Sequence, residues 1–236
     1  MPMGLFTLFD PVYWLFLGPA ILFTIYAQFK VKAAYGHYSR VANSAGLTGA
    51  QAAREMLRRE GLNDVQVEET QGWLSDHYDP RDRTLRLSPG VYRSPSVAAV
   101  GIACHEAGHA LQHAHAYAFL GLRNALVPVA GIGSWLAWPI IIGGILFGSL
   151  GLAKVGLVLF AAIVAFQFIT LPVEYNASSR AKDALVRNGV LSRAEEVDGA
   201  SKVLNAAALT YVAATLAALA QLLYWALRLG MLGGDE

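Results

Sequence analysis

Charge is the scarce ingredient of this sequence. Only 15% of its 236 residues are Asp, Glu, Lys or Arg, while 55% are hydrophobic. A water-facing globule normally carries about a quarter charged residues, so this chain lacks the polar groups needed to coat one. Bases and acids nearly cancel, leaving a formal net charge of +1, and no long basic run stands out. That argues against nucleic acid as a partner. Cysteine is almost missing as well. Cys104 stands alone, so no internal disulfide can staple the fold, and a reducing compartment fits such usage. Internal repeats and low-complexity linkers are absent too.

Apolar runs fill the space that charge leaves. Four of them, at about 11–29, 125–148, 155–173 and 204–228, reach roughly the 20 residues an α-helix needs to cross the hydrocarbon core. Pro19, Pro128 and Pro139 fall in or near these runs, where membrane helices tolerate proline. The first run has no basic stretch before it, since Lys30 comes after, so it is expected to be a retained span rather than a cleaved signal peptide. Eleven Lys/Arg lie between spans one and two, and five between spans three and four. Of these, Lys30, Lys32, Arg123, Arg180 and Lys182 sit near span ends. The positive-inside rule then puts segments 30–123 and 174–202 in the cytoplasm and both termini outside.

The first polar segment has local signals of its own. Thr48 and Gln51 have capping-box spacing, and Gly61 closes the helix they start. VQVEE (65–69) and TLRLS (84–88) alternate like strands, and the Asp-Pro and Arg-Asp between them read as a turn. Ser94-Pro95 then opens another helix. The expected fold is mainly α: a polytopic membrane protein with four transmembrane helices. A small cytoplasmic α+β part with a short β-sheet completes a single domain over residues 1–236.

That last helix carries ACHEAGHALQHAH (103–115), which holds four of the six histidines. His105-Glu106-Ala107-Gly108-His109 fits HExxH. On a helix, i and i+4 share a face, so His105 and His109 can offer imidazoles to one zinc ion. Glu106 stands about 100° round the helix, placed to act on a water without being a ligand. In an apolar helix such groups are costly unless partnered.

Two residues compete to be the third ligand. His115 has the spacing of the longer pattern HExxHxxGxxH, but the glycine that turns that chain is Gln112 here. On an unbroken helix His115 points about 240° away from His109, and it reads, like His113, as a surface or supporting histidine. Glu174, in LPVEYNASSRAKDAL, follows the third span on the same expected side of the membrane. Pro172 is expected to break or bend the chain just before it. A carboxylate at a membrane boundary needs a cationic partner, either a metal or Arg180 or Lys182. Ala177, Ser178, Ala181 and Leu185 share its helical face and are small enough to pack closely on the histidine helix.

DHYDP (76–80), HEAGHALQ (105–112), PVEYNAS (172–178) and ALTYVA (208–213), with the span pattern, resemble the YugP-like neutral zinc metallopeptidases. The resemblance covers nearly the whole chain. It implies an integral membrane zinc peptidase of a bacterial cytoplasmic membrane, whose site the charge pattern above puts on the cytoplasmic side. It also implies one Zn2+ per chain, His105 and His109 as ligands, and Glu106 as catalytic base. More distantly the chain is similar to HtpX-like and CAAX-prenyl membrane endopeptidases, whose later ExxxD supplies a glutamate ligand. That glutamate matches Glu174, while Ser178 stands where those relatives have aspartate. Support for a ligand histidine is then expected from Ser178 or Asn176.

His77, Tyr211 and Arg180 are candidates for stabilising a tetrahedral intermediate. Turn capping is the plainer reading of Asp76, His77 and Asp79, and an interfacial ring the plainer one of Tyr211. The expected partners are a protein or peptide substrate, including membrane proteins, and the lipid bilayer. The competing class is a zinc-binding membrane transporter or sensor without proteolytic activity.

Overall fold

The computed structural model describes residues 10–231 apart from Leu74. It is mainly helical. The long helices are α1 (Pro11–Tyr38), α5 (Ala118–Leu146), α6 (Leu150–Arg187) and α7 (Ala194–Arg228). Each is long and apolar enough to cross a membrane. Shorter elements lie between the first two: α2 (Gly49–Arg59), β1 (Gln66–Glu69), β2 (His77–Asp79), β3 (Thr84–Leu87), α3 (Pro89–Tyr92) and α4 (Val97–Ala114). The chain divides into two compact units.

One unit takes the described parts of Met1–Ala27, Leu122–Leu171 and Thr210–Glu236. Its core is apolar, built around Leu17, Ile141, Leu157, Phe160 and Tyr224. Its outer surface is apolar too: Trp135 is 83% exposed and Phe147 84% exposed. Helices that are hydrophobic on every side require a hydrocarbon solvent. Small residues set the spacing between α5 and α6, since a Cβ on Gly144 would collide with the backbone nitrogen of Ala153. Such close backbone approach is how helices pack where lipid offers no hydrophobic drive.

The other unit takes Gln28–Gly121 and Pro172–Leu209. Helix α2 starts with the expected capping box, Thr48 accepting from the Gln51 amide while the Gln51 side chain accepts from that of Thr48. Its buried face, Ala52, Ala53, Met56 and Leu57, joins Leu85, Leu87, Val100, Ala103 and Leu111 in one core. The sheet order is β1-β3-β2. Here the structure corrects the simplest reading of the sequence. β1 does not form a hairpin with β3 but runs parallel to it, Gln66 opposite Thr84. The turn at 80–83 instead joins β3 to β2, an antiparallel neighbour with His77 opposite Arg86. Asp79 and Asp82 shape that turn by accepting from the backbone amides of Arg81 and Thr84.

Two further boundaries differ from expectation. Helix α4 is capped by Ser96, whose hydroxyl accepts from the Ala99 amide, so Pro95 precedes the helix rather than starting it. Pro172 does not break the third span, because α6 runs unbroken from Leu150 to Arg187. Glu174 is therefore a helical residue inside a long rod.

Candidate metal centre

Two helices build this centre, and a missing side chain lets them meet. A Cβ on Gly108 of α4 would lie 2.6 Å from the carbonyl oxygen of Ala177 on α6. Only glycine permits that approach, and it brings α4's His105 and His109 beside α6's Glu174. The small face predicted on α6 is buried as expected: Ala177, Ala181 and Leu185 are all fully enclosed.

His105 Nε2 lies 3.3 Å from Glu174 Oε2, and His109 Nε2 lies 3.8 Å from the same oxygen. The two imidazoles stand edge to face with centroids 4.9 Å apart. One donor atom from each of the three residues falls within 4.8 Å of the others. Two imidazoles and one carboxylate, half-buried or buried, make a donor set suited to zinc. The residues present fit such an ion, and three protein donors would leave a four-coordinate zinc one position for water or substrate. His115 is not in this group. It caps the C-terminal end of α4, exposed, with Nδ1 2.8 Å from an Arg180 guanidinium nitrogen.

Each histidine is held from behind. Ser178 Oγ lies 3.1 Å from His105 Nδ1, the position that the departure from ExxxD had put in question. His109 Nδ1 lies 3.0 Å from Gln112 Oε1. Gln112 was not recognisable as a site residue when treated only as the residue replacing a glycine in a longer motif. Its signal was its place three residues after His109 on the same helix, which points both side chains to one face. Asn176, the other expected support, stands one step back: it accepts from Gln112 rather than touching a histidine.

Electrostatics separate the roles. Burial pushes Glu106 up to about 7, against the opposing pull of the His105 charge. Burial alone would lower His105, but its hydrogen bond to Glu174 and the charges of Glu106 and Glu174 outweigh that and raise it. Cys104, fully enclosed beside His105, has its thiol pushed up to about 12 by burial. It is inert packing.

The remaining candidates divide. His77 is exposed on the edge strand β2, donates from Nδ1 to the Ser75 carbonyl at 2.7 Å, and is near enough for its charge to act on Glu106. Asp76 holds the sheet to the following turn by accepting from the Ser88 amide and hydroxyl. Arg180 turns to Asn176 and His115, and Lys182 to Asn205. Tyr211 lies on α7 in the apolar unit, where it is exposed.

Residues 13–230 match the family model described as "Putative neutral zinc metallopeptidase". The chain is 51% identical over 211 residues to the Bacillus subtilis (strain 168) protein described as "Putative membrane protease YugP", covering 89% of this chain and 93% of that one. No solved structure matches. A match over nearly the full length, with HExxH in place, leaves one assignment: the chain belongs to this zinc metallopeptidase family.

Proposed function

We propose that this protein is a membrane-embedded zinc endopeptidase that hydrolyses peptide bonds at the cytoplasmic face. The observation that carries the proposal is the convergence of His105, His109 and Glu174 beside a glutamate that is not among the clustered ligands. In this reading His105, His109 and Glu174 hold one ion per chain. When bound, zinc supplies a Lewis acid that polarises a carbonyl and eases loss of a proton from water. Glu106 accepts that proton and passes it to the leaving amine. Its half-buried position beside the three clustered side chains suits a group that must both take and give a proton.

Strand β2 lies at an edge of the sheet, where an extended peptide could add alongside it, with His77 exposed there. Lysines and arginines at the span ends favour the cytoplasmic placement of this unit. Membership of a peptidase family favours hydrolysis over the transport or sensing alternative.

The test is Glu106→Gln in the purified full-length protein. Zinc content should stay at the wild-type level while cleavage of an unfolded or membrane substrate drops by about 10²–10⁴-fold. Wild-type cleavage by this variant would refute the mechanism.

A further inference from the structure

Behind His109 lies a chain of hydrogen bonds whose direction is set by its far end. Arg180 Nε lies 2.8 Å from Asn176 Oδ1, and an arginine can only donate. The Asn176 atom facing it is therefore the amide oxygen. Gln112 reaches that same oxygen at 3.0 Å, so the atom it presents must be its NH2 group. The assignment is checked independently by the Val173 carbonyl, a pure acceptor, 2.8 Å from the same nitrogen. Gln112 is fully enclosed. Its other terminal atom, the carbonyl oxygen, is then the one 3.0 Å from His109 Nδ1, and an oxygen there demands a proton on that nitrogen.

His105 differs. Its Nδ1 faces the Ser178 hydroxyl, which can donate or accept and so accommodates either tautomer. The source of the direction is itself well anchored. Arg180 is held by His115 Nδ1 at 2.8 Å, and its guanidinium carbon lies 6.0 Å from the centre of the Tyr117 ring.

We propose that Gln112, Asn176 and Arg180 are positioning residues that hold His109 as its Nδ1–H tautomer and so reserve Nε2 for the metal. The inference rests on the reading of His109 as a ligand. It also gives His115 a place at the outer end of the relay, as an acceptor that helps aim Arg180. Ligand histidines in metalloenzymes are commonly oriented by a carboxylate or a backbone carbonyl; here a buried amide, directed by an arginine two links away, takes that part.

The test reads the tautomer itself. Full-length protein labelled with ¹⁵N-histidine is treated with chelator, and the His109 nitrogens are assigned by comparison with His109→Gln. At a pH where the ring is neutral, wild-type His109 should be a single Nδ1–H form. Gln112→Leu and Asn176→Leu should give mixed tautomers, while Asn176→Asp, which keeps the acceptor, should retain the wild-type pattern. Zinc affinity by chelator competition should fall about 10–100-fold in the two leucine variants and stay near wild type in Asn176→Asp. An Nε2–H form in the wild type overturns the proposal, as does a tautomer unchanged in both leucine variants; either result leaves the ligand reading intact. If His109→Gln binds zinc as tightly as the wild type, the ligand reading falls and the proposal falls with it.

Discussion

Replacing Gly108 with alanine should damage the metal centre without touching a ligand. The added methyl would meet the Ala177 carbonyl oxygen at 2.6 Å, where real Cβ contacts essentially never fall below 3.0 Å. The opposing atom is backbone in the middle of α6, so no side chain can swing away. The helices must separate by about 0.4 Å or more, and overpacking of this kind costs roughly 1–3 kcal/mol. Alanine returns about 1 kcal/mol of helix propensity, so the net stability change is a loss of up to ~2 kcal/mol.

The same displacement reaches the ion. Glu174 sits one turn before Ala177 on the same helix, and a metal site tolerates distance errors of only about 0.2 Å. Zinc affinity of Gly108→Ala, read by competition with a chromophoric chelator in detergent, should fall at least about tenfold. Gly36→Ala is the control, because a Cβ there has nothing within 4 Å. It should leave affinity unchanged. Wild-type zinc affinity in Gly108→Ala would refute the claim that this close approach sets the site.

Other expectations can be checked alongside. Ser178→Ala removes the hydroxyl behind His105 and should weaken zinc binding by about tenfold, whereas Ser178→Asp should not. Asp76→Ala strands the Ser88 amide and hydroxyl and should cost about 1.5–3 kcal/mol in denaturation, since a charged acceptor is lost. Cys104 should resist maleimide in the folded protein and react at the rate of unfolding. The Asp79 and Asp82 carboxyls are held below their ordinary values by hydrogen bonds from Arg81 and Arg86 respectively. Their contribution is present above the ordinary carboxylate range and lost as pH falls through the depressed values. Protection factors of the amides in the turn at 80–83, taken relative to the intrinsic exchange rate at each pH, should therefore fall on acidification while those of α4 persist.

Much of this architecture was legible because apolar runs, caps and HExxH are local patterns. The span count and the box at Thr48 and Gln51 follow from such spacing, whereas support of a histidine by Ser178 was one of two alternatives that the family resemblance implied. What escaped was non-local. The parallel pairing of β1 with β3 depends on a chain path that alternation does not encode, since both strands show the same period whichever way they run. Hydropathy likewise ends the third span at Val173, although backbone hydrogen bonding continues to Arg187. Polarity marks the edge of the oil, not of the helix. Gln112 hid for a third reason: its function lies in the direction of its hydrogen bonds, which is fixed by Arg180 on another helix.

The most direct measurement is the metal content of the purified protein beside its Glu174→Ala variant. One zinc per chain in the wild type, largely lost in the variant at equal folding and equal free zinc, is the expected result. Full and equally tight zinc retention without the Glu174 carboxylate would contradict it.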